Sequence, residues 1–219
     1  MRNNIRVVIL LIMSLLFICG CQSSEEAPSE ADAIKSVQEK LVPANEENKA
    51  LAKTLIQYRP EGAYYFEIED VDTGAVEHRL VGVDANHDLR FTGTDGKEIY
   101  IFKGKNRTII NEEWGVYLSD TIANEAEPDT SPYFDFLYYA KTLEVNQEGD
   151  QRKITDEEGN YLVVDETGDL LEKKDSGRAG AYVMRLLKKE QAFPVYEGLI
   201  QRTKELKEVN SLDAVRDKE

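Results

Sequence analysis

Residues 63–103 read AYYFEIEDVDTGAVEHRLVGVDANHDLRFTGTDGKEIYIFK. From Ala63 onward the spacing of apolar residues is two, the period of a strand with one buried face. Tyr64–Val71, Val76–Val83 and Leu89–Thr94 each carry it. Asp72-Thr73-Gly74, the polar run Asp84–Asp88 and Asp95-Gly96 separate them with residues that favour turns. Glu98–Phe102, Arg107–Asn111 and Trp114–Leu118 continue the pattern through Lys103-Gly104-Lys105 and Asn111-Glu112-Glu113. Strands this close in sequence leave no room for crossover helices, so the stretch predicts an antiparallel meander and excludes a parallel α/β sheet.

The same rhythm returns further along. Glu144–Asn146, Arg152–Thr155, Tyr161–Asp165, Leu170–Lys174 and Tyr182–Lys188 read as strands, with Gly149, Gly159, Gly168 and Gly177 at the turns. Between the two halves lie an acidic stretch, Ser119–Pro132, read as a loop, and Tyr133–Leu143. The latter is the densest aromatic segment, with Phe134, Phe136, Tyr138 and Tyr139, and predicts a short helix covering one opening of the sheet. Upstream, Ile34, Val37 and Leu41 predict a helix over Glu30–Leu41, which Pro43 ends. Asn45 caps a second helix, striped by Ala50, Leu51, Leu55 and Tyr58 and stopped by Pro60-Glu61-Gly62. Val195, Leu199 and Leu206 predict an amphipathic C-terminal helix over Pro194–Val209. The expectation is an α+β, β-rich fold of about ten or eleven antiparallel strands. It occupies one domain, residues 31–209, followed by a frayed tail, 210–219.

The chain has 219 residues, with 27 Lys and Arg against 42 Asp and Glu, a net charge of −15. At 41% hydrophobic residues it is too apolar to be disordered. Its acidity excludes a nucleic-acid partner, since phosphate binding needs clustered Lys and Arg. Residues 1–20 read as an export signal: Arg2 and Arg6 precede an apolar run, Val7–Ile18. That run is shorter than the ~20 residues a permanent span requires. Ile18-Cys19-Gly20-Cys21 resembles a bacterial lipobox. The resemblance implies cleavage before Cys21 and lipidation of its thiol. Residues 21–30 then form a flexible tether, and the mature chain is lipid-anchored on the extracytoplasmic face of a cell membrane, or of an outer membrane if the host has two. Cleavage removes two arginines and no acid, taking the charge to −17.

Leu89-Arg90-Phe91-Thr92 followed by Asp95-Gly96, and the hairpin from Glu98 to Thr108, resemble the LolA/LppX-like superfamily of lipoprotein carriers and lipid-binding lipoproteins. The likeness covers residues 45–190. It implies an open half-barrel with helices plugging its concave face, Arg90 as a matched position, and an acyl lipid as cargo. The expected lining is Phe66, Ile68, Leu89, Phe91, Tyr100, Phe102, Phe134, Leu137 and Tyr138. The alternative is that these residues pack on one another as a filled core, and that the surface meets a protein partner of the envelope.

Nothing in the sequence points to catalysis, a metal or a cofactor. Asp84-Ala-Asn86-His-Asp88 has the spacing of half an EF-hand, but Leu89 stands where glycine must turn the loop. His78 and His87 have no spacing that pairs them on zinc. No G-x-S-x-G elbow or phosphate loop occurs. Asp70 and Asp72, and Asp165 and Asp169, lie in or beside turns that carry Gly74 and Gly168, where aspartate caps backbone N–H groups.

Overall fold

A computed structural model describes residues 28–123, 131–177 and 180–213. The signal segment, Cys21, the tether up to residue 27 and the last six residues lie outside them. Two helices open the described chain. In α1 (Glu30–Lys40) the Ser29 hydroxyl accepts the Asp32 N–H, and Glu30 and Asp32 sit in the first turn, where the helix dipole favours negative charge. In α2 (Glu46–Gln57) Asn45 accepts the Asn48 N–H at 2.7 Å, the cap expected for this residue. The buried side of α2 is Asn48, Ala52, Leu55 and Ile56, whereas Ala50 is exposed, so the stripe is rotated from the one predicted.

Eleven strands follow the predicted order: β2 (Gly62–Asp70), β3 (Val76–Val83), β4 (Leu89–Thr94), β5 (Glu98–Lys103), β6 (Asn106–Asn111), β7 (Val116–Thr121), β8 (Leu143–Glu148), β9 (Gln151–Asp156), β10 (Tyr161–Val164), β11 (Leu170–Gly177) and β12 (Gly180–Glu190). Two short strands join them, β1 (Leu41–Val42) and β13 (Lys207–Glu208). All thirteen form one open sheet in the order β1-β8-β9-β10-β11-β12-β2-β3-β4-β5-β6-β7-β13. β2–β12 pair antiparallel, and β1 and β13 lie parallel at the two edges. The chain thus builds one wing, β2–β7, returns through α3 (Phe134–Tyr139), builds the other, β8–β12, and closes the middle by pairing β12 with β2.

Three expectations are corrected. β7 begins at Val116 and runs to Thr121, into the predicted loop, because six consecutive residues find partners on β6. The aromatic helix is one short element, Phe134–Tyr139. The C-terminal helix, α4 (Ala192–Arg202), starts before Pro194, which falls in its first turn, and stops at Arg202. A 3-10 turn over Thr203–Glu205 then sends the chain along β7 as β13, so Leu206 packs from outside the helix.

Two separate hydrophobic clusters hold the wings. One joins Ala33 and Val37 of α1, Ala52, Leu55 and Ile56 of α2, and Leu137 of α3 to Val145, Ile154, Leu162 and Val164 on β8–β10. The other joins Ala192 and Leu199 of α4 to Ala63, Leu80, Phe91, Ile99, Ile101 and Ile110 on β2–β6. These clusters lie on opposite faces of the sheet. Partners in a ladder share a face, and the row Ile154, Leu162, Lys173, Met184, Ile68 connects the first cluster to the side of β2 that bears Tyr64, Phe66 and Ile68. Ala63 and its row-mates Gly82, Phe91 and Ile101 point the other way. The helices therefore do not all plug one side.

Candidate functional site

Because α4 covers one side of β2–β7 and α1–α3 pack on the other side of β8–β10, each face keeps one half without a described helix, and on β2–β7 it is the half opposite α4. Register places Tyr64, Val81, Thr92, Tyr100, Ile109 and Leu118 side by side on it, one from each of the strands β2–β7. Six strands at ~4.8 Å spacing make this stripe about 24 Å long. Tyr64 and Ile109 are buried, and the other four are half-buried. None belongs to either hydrophobic cluster. Neighbouring rows on the same face widen the stripe with Val83, Phe102, Phe66 and Val116, and carry Arg90, Arg107 and Arg79 at its margins. The surface is thus apolar along its length, with charges beside it, which is the pattern of a site for an elongated apolar group.

Thr92 Oγ1 lies in the middle of this row, buried and without a hydrogen-bond partner. A desolvated hydroxyl left in this way is unfavourable. The Tyr100 phenol donates to Glu98 at 2.9 Å, and burial, reinforced by that carboxylate, pushes its pKa up to about 12. Arg107 makes a two-pronged ion pair with Asp120 across the neighbouring strand. The Arg90 side chain donates through Nε to the His87 carbonyl.

The ten residues expected to line one cavity are divided among three places. Phe66, Ile68, Arg90, Tyr100 and Phe102 share the face just described. Leu89 and Phe91 are on the other side, 2% and 1% exposed in the α4 cluster. Leu137 is fully buried in the α1–α3 cluster, with Phe134 and Tyr138 packed against it. Tyr64, Val81, Ile109 and Leu118 were missed. Their alternation was visible within each strand, but which phase faces the unclaimed side depends on where α4 docks.

At the β12 end of the stripe sits a polar cluster. Tyr64 pairs with Lys189 across β2 and β12. Asp169 accepts hydrogen bonds from Tyr58, from Tyr64 at 3.0 Å and from Lys189 at 2.5 Å. The two phenol oxygens stand 3.2 Å apart, and the Tyr133 hydroxyl donates to the Gly168 carbonyl at 2.6 Å. Burial works against ionising Asp169, but the bonds from Lys189, Tyr58 and Tyr64 outweigh it and hold the carboxyl below its usual range. Burial first, then the bond to this carboxylate, raises Tyr58 far above an ordinary phenol. The cluster ties the end of α2 and the β10–β11 turn to the sheet centre.

The remaining sequence candidates are engaged in turns. Asp84 Oδ1 accepts the Leu89 N–H, Asp70 accepts those of Asp72 and Thr73, and Asp165 accepts those of Thr167 and Asp169. His78 lies exposed on β3 and His87 in the following turn, at φ 58°. Among the described residues no group of three or more His, Cys, Asp or Glu stands where it could hold a metal ion, and no helix is long and apolar enough to cross a membrane.

No family model matches the chain, and no curated protein does. Among solved structures it is similar to an uncharacterized conserved protein from Thermus thermophilus, at 8% identity and a TM-score of 0.42, over 84% of this chain and 100% of that one. It is also similar to LprF from Mycobacterium bovis, at 10% identity and a TM-score of 0.33, over 75% of this chain and 95% of that one. Similarity at this level carries no ligand from one chain to another.

Proposed function

We propose that this protein is a lipid-anchored, non-catalytic binding protein of a bacterial envelope, and that the chain of an acyl lipid lies along the stripe from Tyr64 to Leu118. In this reading Cys21 carries the anchor, residues 21–30 act as tether, and the sheet curves as an open half-barrel with the stripe on its inner side. The single observation behind it is the stripe itself: six aligned residues in a row that neither hydrophobic cluster absorbs. Its length of about 24 Å exceeds the ~15 Å that one acyl chain occupies in half of a ~30 Å bilayer core. The half-buried members of the stripe, Val81, Tyr100 and Leu118, gain from being covered, at roughly 25 cal/mol per Å².

A second reading has its own support. Leu89, Phe91 and Leu137 belong to solid cores, as expected for an envelope assembly protein that meets a protein partner. The two readings differ in what covers the stripe. The test is to purify the full chain from membranes of its host, extract it with organic solvent and weigh what is released. The anchor on Cys21 is covalent and stays with the protein, so its own acyl chains do not count among the lipid released. Lipid at close to one per chain supports the first reading, and its absence supports the second.

A further inference from the structure

The start of α1 and the start of α4 stand at the same end of the sheet. Glu30 accepts a hydrogen bond from Gln57 at 2.7 Å and lies 3.8 Å from Arg59, so α1 begins beside the segment that leads into β2 at Gly62. Ala63 is opposite Glu190, the last residue of β12, and α4 follows at Ala192. Phe193, in the first turn of α4, is 53% exposed, and Leu187, three residues before the end of β12, is 56% exposed. The Phe193 and Tyr196 ring centres are 5.9 Å apart, and the Lys103 ammonium, at the end of β5, stands 5.9 Å and 5.1 Å from them. Aromatic rings beside a lysine, whose apolar stem can lie along them, are side chains that settle at a membrane interface. The opposite end of the sheet differs. Val71 and Val76 are exposed there, but Val71 lies between Asp70 and Asp72 in the chain and Val76 precedes Glu77, and α4 finishes with Arg202 bonded to Asp95 and Glu112.

We infer that the end of the sheet bearing Phe193, Leu187 and Lys103 rests on the lipid bilayer that holds the anchor, with the opposite end directed away from it. This rests on the reading of Cys21 as a lipid anchor, and adds to it a contact surface and an orientation. In that reading residues 21–29 join the lipid to α1, and nine residues reach at most about 30 Å. The tether thus leaves from the end that carries Phe193. The nine residues of β2, also about 30 Å long, separate its root from the opposite end. Exposed apolar side chains this few hold a bilayer weakly by themselves, but a covalent lipid keeps them at high local concentration, so weak contact is enough to set an orientation. Lys103 and Lys105 are balanced by Asp84 and Asp88 in the adjacent turn, where the Asp88 carbonyl accepts the Gly104 N–H at 3.0 Å. The surface this end fits is therefore a neutral bilayer.

The experiment places the full lipidated chain, purified from membranes of its host, in phosphatidylcholine vesicles with or without brominated acyl chains, which quench a tryptophan that touches them. Trp114, the one tryptophan of the chain, lies in the β6–β7 turn at the far end and reports on that end. Phe193→Trp in a Trp114→Phe background reports on the near end. Quenching at least threefold stronger at the near end is expected. In the unsubstituted chain, acetylation of Lys103 is expected to slow at least threefold on the vesicle while that of Lys97, at the far end, does not change; this arm needs no variant. Equal quenching at the two ends, or stronger quenching of Trp114, overturns the inference and leaves the anchor reading standing, as does a Lys103 rate that the vesicle does not alter. A chain that fails to float with the vesicles overturns the anchor reading and the inference with it.

Discussion

The tip of the Phe91 ring fills the space where a side chain at Gly82 would begin: a Cβ at Gly82 would stand 1.9 Å from its Cζ. The two residues are directly opposite on β3 and β4, on the face that α4 covers. A missing side chain on one strand thus seats an aromatic ring from the next. The ring is thereby seated in the α4 core, where Phe91 is 1% exposed.

Gly82→Ala is accordingly expected to destabilise the fold by about 1–3 kcal/mol, since the ring must leave its rotamer or the strands must part. Urea unfolding measures it. A midpoint equal to that of the wild type would show that the ring moves aside freely.

Thr92→Val is expected to be neutral or to stabilise the protein by about 1 kcal/mol, because it removes a buried hydroxyl without a partner and keeps the shape. The same unfolding measurement checks it. A loss above about 1 kcal/mol would mean that the hydroxyl is bonded in solution.

Asp169 gives a pH dependence. Its folded pKa is lowered, so the stability it contributes is complete above its unfolded value, ~3.9, and is lost as pH falls through the lower folded value. Asp169→Asn, which keeps the size but loses the charge facing Lys189, is expected to cost about 2–3 kcal/mol at pH 7. The difference between the two proteins shrinks below about pH 4. Urea midpoints from pH 7 to pH 2 test both points, and a difference that stays constant over that range would exclude Asp169 as the source.

On the stripe, Tyr100→Ser removes a half-buried aromatic from the centre of the row and is expected to weaken palmitate binding ten- to a hundredfold, about 1.4–2.8 kcal/mol. Tyr139→Ser, at a side chain 72% exposed on α3, is expected to change nothing. Titration of labelled palmitate into each variant separates them, and equal losses would place the ligand elsewhere.

The sequence carried the strands well, because period-two alternation and Asp-Gly turns are local signals, and Asn45 announced its cap in the same way. What it did not carry is relative placement. The helix stripe through Ala50 and Leu51 is as regular as the one through Ala52 and Ile56, and only docking against α1 and α3 chooses between them. Likewise Phe91 and Tyr100 look equivalent as strand aromatics. Register puts them on opposite sides of the sheet, and it is set by long-range pairing that no local pattern states.

The most direct test of the central claim is where a lipid touches. A palmitate analogue with a photoreactive diazirine near the end of its chain is bound to the full chain and irradiated, and the labelled peptides are sequenced. The account predicts adducts on the stripe, at Tyr100, Ile109 or Leu118, competed away by unlabelled palmitate. Adducts confined to the α4 side of the sheet, or none that palmitate displaces, would contradict it.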